Sequence, residues 1–347
     1  MKALALFSGG CDSLISMQLL KEQGIEVVAL NFNIGFGSNK DKLQYFQNAT
    51  AQIGVEFVSV DIRKQFFDQV LFAPKYGYGK YFNPCVDCHA NMFRNAFKKL
   101  IELEADFVIS GEVLGQRPKS QRKEALEQVK LLVRKMGEEE EFRHLVDPNG
   151  DGIAKPKTLD ALLLRPMSAK LLEPSYPELM GWVDREKLLD VQGRGRSRQL
   201  EMIKNYGWKY FEKPGGGCLL TDTSVANKIK DLQAHRGMVF EDVALVKAGR
   251  YMKLPNGARC VIARNEEENH KLDIPHSQME RITLLDCVGP IGLVEKNATN
   301  EDKTLAGRIA LGYGKSDPAR SYRVQIGEEI HTLEPLDKTQ AQGFLFS

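Results

Sequence analysis

Residues 3–20 read ALALFSGGCDSLISMQLL. The apolar run Ala3 to Phe7 meets Ser8-Gly9-Gly10 at once, and Leu14, Ile15, Met17, Leu19 and Leu20 then give an apolar side to a segment that stops at Gly24. This order predicts a buried parallel strand, a glycine turn and a helix capped by Asp12 or Ser13. Glycines at 9 and 10 let backbone N–H groups converge on an anion, at a helix N-terminus that favours negative charge. Two common phosphate loops are excluded. No lysine follows at the position that G-x-x-x-x-G-K-[ST] requires, and Gly9-Gly10-Cys11-Asp12 does not supply G-x-G-x-x-G.

Working outward, strand and helix signals alternate. "IEVVALNF" (Ile25–Phe32) reads as a second buried strand, a helix is expected over Asp41–Ile53, and "EFVSVDI" reads as a third strand. A helix over Ala90–Leu103 and a strand "DFVISG" (Asp106–Gly111) follow, and "ALLLRPMS" is the last core strand. The alternation predicts an α/β fold with a doubly wound parallel sheet, whose ligands sit at the carboxyl ends of the strands. Residues 137–160 are polar and rich in Gly and Pro and read as a solvated connection. After residue 235 short alternating runs with a "PNG" hairpin turn predict a smaller α+β domain. The expected division is 1–235, with a helical segment over 170–235 carrying Cys218, and 236–347.

The 347 residues are 42% hydrophobic and 27% charged with a net charge of +2, so the chain is globally neither a basic nor an acidic binder. "ALALF" is too short for a secretory leader and no run approaches the ~20 apolar residues of a membrane span. The expectation is a cytoplasmic protein without membrane contact, whose six cysteines are reduced and serve as ligands, catalysts or core residues.

The string S-G-G-x-D-S between a strand and a helix resembles the pyrophosphate (PP) loop of the ATP pyrophosphatase superfamily, the adenine nucleotide α-hydrolase-like fold. The resemblance implies cleavage of ATP between its α and β phosphates, with AMP attached to a carbonyl or carboxylate oxygen. Ser8, Gly9, Gly10, Asp12 and Ser13 would bind the ATP phosphates, Asp12 helping with Mg²⁺. Leu30, Asn31 and Phe32, ending the second strand, and Gly111 would contact the adenosine.

"YFNPCVDCHANMFRNAF" (81–97) contains Cys85-x-x-Cys88, and "EKPGGGCLLTD" (212–222) places Cys218 after three glycines. Together with the opening loop these segments resemble the tRNA thiouridylases, 2-thiouridylase-like and 4-thiouridine-synthetase-like. Asn83, Pro84 and Cys88 match the 2-thiouridylase pattern N-P-D-x-x-C-N, while Cys85 replaces its aspartate and His89 its second asparagine. Three cysteines are similar to the iron–sulfur-dependent branch, in which Cys85, Cys88 and Cys218 would hold a [4Fe–4S] cluster with one iron open. Two alternatives stand beside it: a Cys88/Cys218 persulfide–disulfide pair, and a zinc site of Cys85, Cys88 and Cys218 with His89. Cys11, Cys260 and Cys287 read as packing residues, and His144, His235, His270, His276 and His331 as surface or ordinary core histidines.

Two stretches are basic, "GQRPKSQRKEALEQVKLLVRK" (115–135) and "RGRSRQLEMIKNYGWKY" (194–210), the second interleaving Tyr206, Trp208 and Tyr210 with lysines. Lysine and arginine neutralise phosphates and aromatics stack on unpaired bases. "VALVKAGRYMKLPNGARCVIARNEEENHKL" (243–272) resembles an RNA-binding module of a ribosome quality-control factor family. The resulting expectation is an ATP-dependent tRNA thiouridylase with catalytic Cys85, Cys88, Cys218 and Asp12. It would use ATP, Mg²⁺ and a [4Fe–4S] cluster, and take sulfur from sulfide or a cysteine-desulfurase-derived persulfide. An AMP-forming ligase acting on a small molecule is the alternative.

Overall fold

The run ALAL forms β1 (Lys2–Leu6) in the middle of a sheet, where Ala3, Leu4 and Ala5 are buried on both faces. The computed structural model describes residues 1–37, 42–212 and 218–346. The expected alternation is present: α1 (Cys11–Lys21), β2 (Glu26–Asn33), α2 (Leu43–Ala51), β3 (Glu56–Asp61), α3 (Arg63–Phe66), α4 (Cys85–Glu102), β4 (Phe107–Ser110), α5 (Lys123–Met136) and β5 (Leu163–Leu164). The five strands are parallel in the order β3-β2-β1-β4-β5. Right-handed crossovers therefore put α1 and α2 on one face and α4 and α5 on the other. The chain reverses direction between β1 and β4, so a crevice opens beyond their carboxyl ends.

Local details depart from the sequence reading. The Asp41 start of the second helix and the glycines before Cys218 lie outside the described residues. Asp12 and Ser13 do not cap α1: Gly10 is the N-cap, in extended conformation, and no side chain covers the first turn. The Ser13 hydroxyl instead donates back to the Gly10 carbonyl at 2.8 Å. The helix predicted from Ala90 begins at Cys85, because Pro84, whose carbonyl accepts from the Cys88 N–H, supplies the start that no Ser, Thr or Asp announces. The polar connection contains a 3₁₀ turn, Glu140–Leu145, that buries Phe142. Then come α6 (Tyr176–Leu179) and α7 (Ser197–Tyr206), which ends on left-handed Gly207. Of the aromatic trio beyond it, Tyr206 and Trp208 stack on each other at 4.7 Å, and Tyr206 also bonds Glu22. Tyr210 stays 39% exposed.

The chain divides into two compact units, Met1–Cys218 and Leu219–Ser347, so the expected boundary at 235/236 moves toward the N-terminus. The reason is α8 (Thr223–His235), capped by Asp222, whose Asp231 binds Arg259 and Tyr251 of the second unit. That unit continues through α9 (Asp242–Lys247), β6 (Arg250–Lys253), β7 (Arg259–Ile262), α10 (Glu266–Leu272), β8 (Met279–Leu284), β9 (Gly292–Glu295), α11 (Asn300–Tyr313), β10 (Tyr322–Ile326), β11 (Glu329–Leu333) and α12 (Lys338–Gln342). The strands form one antiparallel sheet, β11-β10-β8-β9-β7-β6, and "PNG" makes the β6–β7 hairpin as predicted. Ala306, Ile309, Ala310 and Leu311 of α11 pack on it with Cys260, Ile282, Val294 and Val324. Two histidines read as ordinary have acidic partners here. His276 meets Asp242 at 3.1 Å and His235 meets Glu295 at 3.0 Å, and both carboxylates also bind the Arg236 guanidinium.

Candidate active site

The phosphate loop leaves β1 with Ser8 exposed and turns through Gly9 at φ +82°. A Cβ on Gly9 would stand 2.4 Å from the Phe46 ring, so both the conformation and the space require glycine. With no side-chain cap on α1, the N–H groups of its first turn are left for an anion. Asp12 is buried and fully engaged. Its Oδ2 accepts from Gln116 Nε2 at 2.6 Å and its Oδ1 from Gln199 Nε2 at 3.2 Å, while Arg196 lies 3.9 Å away. The carboxylate thus fastens α1 to the loop after β4 and to α7, and brings a guanidinium to the loop. Cys11 is core: burial first, then the Asp12 charge, pushes its thiol up to about 11.

Of the expected adenosine contacts, Leu30 has its side chain wholly in the core and its carbonyl bonded to the Phe7 N–H. Asn31 and Phe32 are half-buried, and Asn31 donates to the Phe7 carbonyl at 2.9 Å. Gly111 serves close packing. A Cβ there would fall 2.5 Å from the Ser13 backbone nitrogen, so the end of β4 abuts the first turn of α1.

The next residue, Glu112, carries the connection to the cysteines. Its Oε1 is bonded to His89 Nδ1 at 2.7 Å, and its Oε2 accepts from Arg165 Nε at 2.8 Å and from the Ser110 hydroxyl at 3.1 Å. Burial alone would raise its pKa, but Arg165 and His89 outweigh that and hold it at about 2. His89 follows Cys88 directly on α4. The contact sequence Ser13–Gly111–Glu112–His89 therefore runs from the phosphate loop to the thiols with no gap.

Cys85 and Cys88 lie three residues apart in the first turn of α4 and share a face. Cys85 Sγ is 3.0 Å from Asn83 Oδ1. Burial raises the Cys88 thiol well above its ordinary value, and negative charge on Cys218 and then on Cys85 raises it further, so Cys88 lies within electrostatic reach of each of the other two. Cys218 reaches this place from the far end of the unit. Six residues before it, the Glu212 N–H donates to the Gly9 carbonyl at 2.7 Å, and Glu212 also binds Lys42.

Crowded, mutually repelling thiols are a donor set that ionises once a cationic centre neutralises it. A single zinc would need sulfurs within about 4 Å of one another, given Zn–S bonds of about 2.3 Å. Among the described residues no group of three His, Cys, Asp or Glu has that geometry, and His89 Nδ1 is already committed to Glu112.

Residues 1–134 match the family described as tRNA methyl transferase HUP domain, and residues 249–344 the NFACT protein RNA binding domain. Each match covers less than half of the chain. The HUP part is 32% identical over 121 residues to the tRNA-specific 2-thiouridylase MnmA 1 of Clostridium tetani, covering 32% of this chain and 33% of that one. It is also 32% identical over 145 residues to the tRNA-specific 2-thiouridylase MnmA 2 of Thermoanaerobacter sp., covering 38% of each. The chain thus spans about a third of the length of the curated relatives it matches. Among solved structures, the U34-tRNA thiolase NcsA from Methanococcus maripaludis with its [4Fe-4S] cluster aligns over 70% of both chains, at 17% identity and TM-score 0.35. No described helix is long and apolar enough to cross a membrane.

Sequence reasoning missed Glu112, Arg165, Gln116, Gln199 and Arg196. Arg165 directly follows β5 and Glu112 lies two residues beyond β4, and the rule that ligands gather at carboxyl ends would have found them. Gln199 and Arg196 carry no such signal, because only the fold returns α7 to the phosphate loop.

Proposed function

We propose that the chain is an ATP-dependent tRNA sulfurtransferase that replaces a uridine carbonyl oxygen by sulfur. The reading rests on Cys88 lying within electrostatic reach of both Cys218 and Cys85, and on a glycine loop packed against Gly111, whose neighbour Glu112 binds His89. The HUP family match and the 2-thiouridylase relatives support the same chemistry.

The loop N–H groups and the Ser8 and Ser13 hydroxyls hold the β and γ phosphates with Mg²⁺, and Arg196 balances charge on the departing pyrophosphate. The uridine oxygen attacks the α phosphorus and the α–β bridge breaks. Sulfur at the sulfide level then adds to the activated carbon, the carbon–oxygen bond breaks, and AMP leaves with the original oxygen. No electron is gained or lost overall. A [4Fe–4S] cluster on the three thiolates would leave one iron able to present sulfide. Glu112 and Arg165 fix His89 and the first turn of α4, so the thiols keep their position.

The persulfide route with Cys88 and Cys218 ends in a disulfide and consumes a reductant at each turnover. The deciding experiment is anaerobic reconstitution with iron and sulfide, expected to bind about four irons per chain, followed by nucleoside analysis of tRNA. Each of Cys85→Ala, Cys88→Ala and Cys218→Ala should abolish thiolation. Full activity of Cys85→Ala would exclude the cluster route, and AMP formation indifferent to tRNA would point to a small-molecule ligase.

A further inference from the structure

Immediately before Cys85 runs a segment with no part in the scheme above, Lys75-Tyr-Gly-Tyr-Gly-Lys-Tyr81. Lysine and tyrosine interleave in it, and Lys75, Tyr78, Lys80 and Tyr81 are all exposed. A solvated loop has no reason to show two tyrosines, each more than a third exposed, beside a catalytic centre. The segment is also built rather than loose. The Asp87 carboxylate, on the cysteine-bearing turn of α4, accepts from the backbone N–H groups of Lys75 and Tyr76 at 2.8 and 3.1 Å. The Gly79 N–H donates to the Asn83 carbonyl at 2.7 Å, and the Tyr78 hydroxyl to the Leu71 carbonyl at 2.7 Å. The Tyr78 ring leans on buried Phe82 at 4.5 Å, and Phe82 on Phe72 at 5.8 Å.

Tyr81 stands out. Its backbone lies at φ +56°, a conformation that disfavours a bulky residue and that accumulates at ligand-binding sites. The ring is held outward with the Lys80 ammonium 4.9 Å from its centre. A second basic element closes the patch. A Cβ on Gly79 would meet the Lys119 stem at 3.3 Å, and the charges of Arg117 and Lys119 act on Cys85. Among the described residues no carboxylate is ion-paired with Lys75, Lys80, Arg117 or Lys119.

Exposed, pre-oriented tyrosines flanked by unpaired cations are the surface that grips unpaired nucleotides: rings stack on bases and ammonium groups meet phosphates. We infer that residues 75–81, with Arg117 and Lys119, form a single-stranded RNA platform that stacks Tyr78 and Tyr81 on tRNA bases flanking the target uridine. This rests on the tRNA reading above and adds to it where on the HUP unit the substrate strand lies. The Asp87 bonds tie the platform to the same helical turn as the thiols, so a nucleotide stacked there is delivered next to them.

The test uses the full chain with bulk tRNA and zero-length ultraviolet crosslinking, adducts being mapped by mass spectrometry. Nucleotide adducts are expected on peptides bearing Tyr78 or Tyr81. Tyr81→Ala should lose them and raise the KM for tRNA roughly tenfold, while Tyr81→Phe, which still stacks, keeps both. Lys75→Ala with Lys80→Ala should lower the slope of log K against log salt by about two. ATP binding, followed by calorimetry, should stay unchanged in every variant and shows that the unit is folded. Adducts confined to residues 219–346, with an unchanged salt slope, would overturn the platform and leave the tRNA reading standing. Absence of adducts anywhere on the chain would remove both.

Discussion

His89 Nδ1 and Glu112 Oε1 are 2.7 Å apart, and this bond joins the cysteine helix to the strand end that packs on the phosphate loop. Glu112 is fully buried with a pKa lowered from 4.5 to about 2, chiefly through Arg165 and His89 acting against burial. A depressed carboxylate stabilises the fold above its unfolded value and loses that contribution as pH falls through the folded one. The window is therefore pH 4.5 down to about 2, and at 1.36 kcal/mol per unit the loss is on the order of 3 kcal/mol. Urea midpoints measured across this range should fall steeply for the native chain and less for Glu112→Gln. At neutral pH Glu112→Gln should itself be less stable by about 3–5 kcal/mol, because Arg165 is left buried without its counter-charge.

Gly111→Ala should damage the nucleotide site from outside it. The added methyl would stand 2.5 Å from the Ser13 nitrogen and 2.7 Å from the Ser13 Cα, both backbone atoms that cannot rotate away. Overpacking of this kind costs about 1–3 kcal/mol. Calorimetry should show weakened ATP binding together with a lower melting temperature.

Cys11→Ala separates the thiol in the phosphate loop from the three elsewhere. Cys11 is 1% exposed and its thiol is pushed up to about 11, so it is expected to resist alkylation at pH 8. The substitution should cost about 1 kcal/mol of stability and leave iron binding and thiolation in place.

Arg236→Ala should unfold the second unit preferentially. It strands Asp242, 0% exposed, and Glu295, 1% exposed, each of which loses its guanidinium partner. Removing one member of a buried ionic cluster costs about 3–5 kcal/mol. Hydrogen exchange should accelerate across residues 219–346 while β1 to β4 keep their protection.

The parallel sheet was legible because β1, β2 and β4 contain continuous apolar runs ending in a glycine or polar turn, and the S-G-G-x-D-S string marks where β1 stops. Residue type and the glycines before Cys218 are what single out Cys85, Cys88 and Cys218 in the sequence. The start of α4 was not, since Pro84 carries no capping side chain and Cys85 to His89 show no apolar periodicity. Glu112, Arg165, Gln116 and Gln199 are polar residues whose burial follows only from strand order and from the return of α7. Apart from the place of Glu112 and Arg165 just after strands, no local pattern distinguishes them from surface positions. Tyr206 and Trp208, interleaved with lysines in the sequence, stack on each other at 4.7 Å, which residue order alone does not reveal.

The hydrogen bond from Glu212 to Gly9 has a mechanical corollary. From that suture to Cys218 the chain has six residues to travel, so at most about 20 Å of slack. The last sulfur is therefore leashed to the cradle that receives the nucleotide. Cutting the polypeptide between the two would loosen the wall of the cradle as well as free the thiol. A chain shortened before residue 212 should then have a looser glycine loop, seen as weaker ATP binding by calorimetry if that loop holds the nucleotide as proposed.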